Sequence, residues 1–302
     1  MSEKNLEKIN EKGFEKEPQA KAQAKAETKP LAGTDLKGCL KKALRRKEFQ
    51  VYYQPIVDVA SERVAGMEAL LRWHRPGFGM VYPDDFIPIT EETELIVPIG
   101  EWVLHTACLQ AKIWRNAGYG PLKLAVNISP VQLQHTSFIP TVERVLKETE
   151  FDPNCLELEI TESVVFRNLD YVADTLRRLK KAGIIISMDD FGTGYSSLEN
   201  INRLTVDSLK IDQTFIRDLD TNPCSKEIIS ATMTMANNLN LEVTAEGVEI
   251  HSQLHFLKQH KCHYFQGYLY SPPVPAEKFQ EILEAEKTAK NSLKEQNGGR
   301  GV

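Results

Sequence analysis

The chain has 302 residues, 41% hydrophobic and 26% charged, a balance that suits a soluble globular protein of one large domain or two small ones. Its net charge of −5 argues against a basic nucleic-acid-binding surface, so DNA is not an expected partner, although a small anionic substrate could bind through metal ions. No apolar run is long enough to span a bilayer and no signal peptide is evident, which points to the cytoplasm unless a membrane domain is missing from the N-terminal side.

Residues 1–33 are rich in Lys, Glu, Ala and Gln, carry Phe14 as their only aromatic, and are interrupted by Pro18 and Pro30. Glu-Lys pairs at 3–4, 7–8, 11–12 and 15–16 would place some opposite charges three apart on a helix. The segment has little to bury, so residues 1–35 are expected to be a charged, disordered leader. From Asp35 onward the pattern is globular. Apolar, β-rich runs occur at Val51–Val57, Val64–Leu71, Lys123–Ile128, Leu156–Ile160, Ile184–Met188, Asp207–Ile211, Leu241–Ala245 and His263–Tyr268. Amphipathic stretches lie between several of them, at Ile99–Ala117, Thr141–Glu150, Val164–Ala182, Lys226–Leu239 and His251–His260. Strands alternating with helices predict a mostly parallel sheet, and so many runs in one domain favour closure. The first two runs are joined only by Asp58–Arg63, a loop that suits an antiparallel pair. The expected fold is α/β: a (β/α)8 TIM-type barrel with an irregular, partly antiparallel start. Residues after Ala276 read as one terminal helix, with a tail assigned to 286–302.

Cys39, Cys108, Cys155, Cys224 and Cys262 are scattered and form no C-x-x-C pair, which argues against disulfides or zinc and for a reducing compartment. The histidines show no metal-ligand spacing, and Trp73, Trp102 and Trp114 are assigned to the core.

The chemistry is concentrated at strand ends. Glu68, Asn127, Glu159, Asp189 with Asp190, Lys210 with Asp212, Glu246 and Gln266 each stand at or near the C-terminal end of a predicted strand. Barrel active sites are assembled on that face from several strands. Carboxylates gathered there repel one another unless a cation neutralises them, and a carboxylate and carboxamide set suits a hard ion such as Mg2+ or Mn2+. The number of ligands would allow two ions, a common solution for phosphodiester cleavage. Bland readings stand beside these. Glu246 could be a solvated strand end, and Asp189-Asp190 could belong to a turn with Ser196 or Ser197 as a helix N-cap. Lys210 could be paired structurally by Asp212, or could hold an attacking water. Arg72 could clamp a phosphate or form a rim salt bridge. Gly192 and Gly194 are a weak phosphate-loop signal.

The run Met67-Glu68-Ala69-Leu70-Leu71-Arg72-Trp73 contains the signature of EAL domains, and the chain resembles that family elsewhere as well. The matching segments are Tyr53–Val57, Asp85–Pro88, Val126–Ser129, Glu159–Glu162, Asp189–Ser197, Leu209–Asp212, Ala245–Glu249 and Gln266–Tyr268, in the family's order across about residues 36–285. The resemblance implies an enzyme that hydrolyses cyclic di-GMP to linear pGpG, with two Mg2+ or Mn2+ ions per site, Ca2+ as an inhibitor, and a homodimeric state.

Residue by residue, the resemblance implies that Glu68, Asn127, Glu159 and Asp189 ligate one metal. Asp189 would bridge to a second ion held with Asp190 and Glu246, and Glu246 would share a catalytic role with Lys210. Gln54, Leu70, Arg72, Asp212, Glu249 and Gln266 would contact substrate, and Glu162 would steady the loop through Ser197. Two departures stand out: Glu94, where glycine is common in such domains, and the loop His74–Met80. The competing readings are a silent member serving as a cyclic di-GMP receptor or protein-interaction module, and a Mg2+-dependent barrel enzyme using Lys210 as a carbon-acid base. The latter leaves the ordered motifs unexplained.

Overall fold

In the computed structural model, which describes residues 36–161, 169–192 and 203–298, the predicted apolar runs form one sheet. Its strands are β1 (Phe49–Asp58), β2 (Arg63–Arg75), β3 (Gly79–Val81), β4 (Lys123–Asn127), β5 (Leu156–Thr161), β6 (Ile185–Phe191), β7 (Ser208–Ile211), β8 (Glu242–Ala245), β9 (Tyr264–Phe265) and β10 (Val274–Pro275). The order runs β1-β9-β8-β7-β6-β5-β4-β2, and β2 pairs back onto β1, so all strands except the outlying β3 and β10 close into a barrel. Neighbours from β2 through β4 to β9 are parallel, whereas β1 is antiparallel to both β2 and β9. The antiparallel start expected from the short Asp58–Arg63 loop is therefore the point of closure.

The helices are α1 (Leu36–Ala43), α2 (Pro83–Glu92), α3 (Ile96–Asn116), α4 (Pro130–Gln134), α5 (Phe138–Thr149), α6 (Leu169–Lys181), α7 (Gln213–Arg217), α8 (Pro223–Asn238), α9 (His251–Gln259) and α10 (Ala276–Gly298). The expected start of α6 at Val164 lies outside the described residues. Sequence periodicity misses α2, because prolines punctuate it. Pro83 opens the helix, where its missing N–H costs nothing, and Pro88 sits inside it. The unusual loop at His74–Met80 is a β-hairpin, with Trp73 opposite Val81 and both Gly77 and Gly79 at positive φ. Glu94 also has positive φ, 57°, the backbone state that glycine adopts without strain. Helix α10 runs through the 285/286 boundary. Glu286 there accepts a hydrogen bond from the Tyr270 hydroxyl at 2.7 Å, so the helix continues packing where a tail was assigned. No helix among the described residues is long and apolar enough to cross a membrane.

Alternation along each strand decides what faces where. Leu158 and Ile160, Ile186 and Met188, Leu209 and Ile211, and Val243 and Ala245 point outward and are buried in the main hydrophobic core. Each of these side chains other than Ala245 contributes about 1.5–3 kcal/mol of transfer free energy. Trp73 and Trp114 are fully buried, and Trp102 packs partly buried against the same core. Tyr53 meets Trp114 edge-on at 4.9 Å and Phe279 at 5.9 Å, which ties β1 to α3 and α10. The alternate residues point into the barrel, and they are polar: Glu157 and Glu159, Ser187 and Asp189, Ser208 and Lys210. At one end Lys123 ion-pairs with Glu242 beside Tyr264. One layer up, Ser208 donates to Glu157 at 2.7 Å.

Candidate active site

Above these layers lies the centre of the site. Lys210 is 1% exposed and its ammonium stands among four carboxylates, 2.6 Å from Glu246, 2.8 Å from Glu159, 3.4 Å from Glu68 and 3.7 Å from Asp189. Burial would drive the Lys210 proton off, but the surrounding negative charges win and hold its pKa well above the ordinary lysine range. Asp212 does not pair with it. Instead Asp212 is the N-cap of α7, accepting hydrogen bonds from the backbone N–H of Thr214 at 2.9 Å and from the Thr214 hydroxyl. The simple structural explanation for Lys210 therefore fails.

One ammonium cannot balance these acids. Burial, reinforced by Glu68, raises Glu159 well above the carboxylate range, and neither of its oxygens finds a well-directed hydrogen bond. Burial pushes Glu246 up to about 8 against the opposing pull of Lys210, with Asp189 and Glu68 adding to the rise. Asp189 is raised as well, again chiefly by burial. Glu68 goes the other way. Burial raises it, but Lys210 and hydrogen bonds from Gln266 and Asn127 hold it low. Burial thus disfavours the charged forms of Glu159, Glu246 and Asp189.

A bulge brings a further carboxylate to the same place. Ser187 pairs with Ser208 and Met188 with Leu209, but the next pair is Phe191 with Ile211, so Asp189 and Asp190 together oppose Lys210. Asp190 has φ 55°, which aspartate tolerates better than most side chains, and its N–H donates to its neighbour's Oδ1 at 2.9 Å. Consecutive strand residues normally face opposite sides, and the bulge removes that constraint. Carboxylate oxygens of Asp189, Asp190 and Glu246 thus lie within 4.8 Å of one another. An all-oxygen set this close, with the buried carboxylates of Glu68 and Glu159 beside it, fits a hard divalent cation.

Glu68 enters differently from its expected place at a strand end. It is mid-strand, because β2 outruns β4 and continues to Arg75 against β1 and β3. Asn127 Nδ2 donates to its Oε1 at 2.6 Å and Gln266 Nε2 to its Oε2 at 2.6 Å. Gln266 also donates to Gln54 Oε1 at 2.7 Å, while its own buried Oε1 has no hydrogen-bond partner among the described residues. The glycine after Gln266 is forced: a Cβ at Gly267 would lie 2.1 Å from the carbonyl oxygen of Val248.

A cavity of about 1080 Å3 opens over this floor, lined by Gln54, Glu68, Leu70, Arg72, Asn127, Asp189, Asp190, Glu246, Glu249 and Gln266. Lys210 and Glu159 lie beneath the lining, and Asp212 lies outside it. Glu162 and the Thr193–Ser197 part of the Asp189–Ser197 motif, including the Ser196 or Ser197 cap, lie outside the described residues. Asp84, Glu91, Gln213 and Arg217 also line the cavity and stand outside the sequence motifs, while Tyr268 ends the Gln266–Tyr268 motif without an assigned role. Gln213 and Arg217 directly follow the β7 motif on the first helix beyond it, which was the available signal.

The fold and site together define a barrel protein with an acidic pocket at its C-terminal face. Residues 38–273 match the family model for the EAL domain. The chain belongs to the EAL domain family. Among curated relatives, the Pseudomonas aeruginosa bifunctional diguanylate cyclase/cyclic di-GMP phosphodiesterase MucR is 42% identical over 238 residues, 79% of this chain and 35% of MucR. The cyclic di-GMP phosphodiesterase NbdA of the same organism is 40% identical over 246 residues, 82% of this chain and 31% of NbdA. The chain thus spans about a third of the length of these relatives. A solved structure of the MucR phosphodiesterase in complex with c-di-GMP superposes with TM-score 0.78 at 41% identity, covering 82% of this chain and 100% of that one. The EAL enzyme Bd1971, bound to cAMP and cyclic di-GMP, superposes with TM-score 0.79 at 32% identity, covering 82% of this chain and 68% of that one.

Proposed function

We propose that the barrel hydrolyses cyclic di-GMP to linear pGpG and needs Mg2+ or Mn2+, two ions per site, to do so. The observation that carries this reading is the convergence of Glu68, Glu159, Asp189 and Glu246 on the single Lys210 ammonium, with Asp190 turned toward the same place by the bulge. Glu68, Asn127, Glu159 and Asp189 would hold one ion; Asp189, Asp190 and Glu246 would hold the other. Divalent ions bound there would neutralise the carboxylates, polarise the phosphodiester and favour ionisation of water. Lys210 hydrogen-bonds the attacking water from the floor. Glu246, its close partner at 2.6 Å, shares its proton inventory. Arg72 supplies paired donors to phosphate, and the vacant acceptor Gln266 Oε1 takes an N–H or O–H from the substrate. Leu70, Gln54 and Glu249 shape the remaining wall, while Asp212 acts by capping α7 or by direct contact once substrate is bound. Ca2+ offers the same charge with looser coordination and is proposed to occupy the site without turnover.

Purified chain is incubated with cyclic di-GMP and Mn2+, with and without chelator, and products are resolved by chromatography. Appearance of pGpG that chelator abolishes supports the enzyme. Tight binding without product, at saturating metal, establishes the receptor reading instead.

A further inference from the structure

Arg72 is only 4% exposed, yet it lines the cavity, and its guanidinium carbon stands 5.6 Å from the ring centroids of both Tyr52 and Tyr82. Sheet register places both rings. Arg72 pairs across the antiparallel ladder with Gln50, and Tyr52 pairs with Leu70, so Tyr52 is the diagonal, same-face neighbour of Arg72. On the other side Trp73 pairs with Val81, which brings the next residue, Tyr82, level with Arg72 where β3 gives way to α2. Tyr82 is 8% exposed and stands directly before the first turn of that helix. One guanidinium N–H also donates to the Leu71 carbonyl oxygen at 3.0 Å. A long side chain that must meet an anion loses much rotamer freedom on doing so, and aromatic faces beside a cation hold it in place beforehand.

We infer that Tyr52 and Tyr82 are positioning residues that pre-set Arg72 for the scissile or neighbouring phosphate, an inference that rests on the phosphodiesterase reading above. Tyr82 touches the substrate's ligand and not the substrate's reacting atoms, so its loss weakens binding more than chemistry. In steady-state hydrolysis of cyclic di-GMP, Tyr82→Leu raises KM by roughly three- to tenfold with kcat held within about twofold, and Tyr82→Phe, which keeps the ring, restores KM. In an Arg72→Ala background, Tyr82→Leu changes KM no further. An unchanged KM, a fall in kcat as large as the rise in KM, or full additivity with Arg72→Ala overturns the inference. A second readout needs no substrate. The rate at which phenylglyoxal labels Arg72, followed by peptide mass spectrometry, rises in Tyr82→Leu and stays at the parent value in Tyr82→Phe. Equal rates in all three proteins overturn it. If the parent neither binds nor cleaves cyclic di-GMP, the phosphodiesterase reading falls, while the labelling rates still decide whether the rings hold Arg72.

Discussion

Lys210 Nζ lies 2.6 Å from a carboxylate oxygen of Glu246, the two side chains projecting from the ends of adjacent parallel strands β7 and β8. Neither would be tolerated in a barrel interior alone. Replacing Lys210 by Met leaves Glu68, Glu159, Asp189 and Glu246 without their common counter-charge, and the chelator-treated protein should lose about 3–5 kcal/mol of stability by denaturant titration. Turnover by Lys210→Ala should fall by roughly 100-fold or more while KM changes little. A raised KM with parental kcat would make Lys210 a binding residue and remove it from the chemistry.

Divalent cations should stabilise the protein apart from any activity. At about a hundredfold excess over Kd, one bound ion contributes about 2.7 kcal/mol, or roughly 5–10 °C in the melting temperature of a domain this size. Mn2+ added to chelator-treated protein should give that upward shift, and Asp189→Asn should abolish most of it, since Asp189 belongs to the close carboxylate group. Equal shifts in parent and Asp189→Asn would place the ion elsewhere.

Gly267 tests whether backbone packing, as well as side-chain chemistry, positions Gln266. A methyl there would meet Val248 O at 2.1 Å and Val248 N at 2.3 Å, and backbone cannot swing aside as a side chain can. Gly267→Ala should cost about 3 kcal/mol or more by chemical denaturation. Gly79→Ala, with positive φ but open space around it, should cost about 1–2 kcal/mol. Similar losses at the two positions would contradict the close approach.

Thiol reactivity should follow burial. All five cysteines are free, Cys224 is exposed, and burial pushes the Cys108 and Cys262 thiols up to about 12. A raised thiol pKa keeps the group protonated and unreactive through pH 8–9, so more alkaline buffer in that range should not expose either residue. Pulse alkylation read by mass spectrometry should mark Cys224 first and Cys108 and Cys262 only on unfolding. Early labelling of Cys262 would show that the β8–β9 region opens readily.

Much of this molecule is legible before folding. Strand-length apolar runs, the helices between them and the short Asp58–Arg63 link point to a closed barrel with an antiparallel start, because side-chain period and loop length are local properties. The polar residues ending those runs, among them Asn127, Glu159, Asp189 and Glu246, could be named as one set because parallel strands deliver their C-terminal ends to one face. Local reading stops at relationships between strands. Only the β6–β7 register puts Asp189 and Asp190 together opposite Lys210, and only the overrun of β2 lets a mid-strand Glu68 reach the same level. The pairing of Lys210 with Asp212, plausible at two residues' separation, gives way to a capped helix and to partners far away in sequence. Likewise the rings beside Arg72 come from Tyr52 and Tyr82 through ladder register. Composition and period set which faces are apolar, since burial rewards each strand separately. Which charges meet depends on distances that no strand sets alone, and those exist only once the barrel has closed.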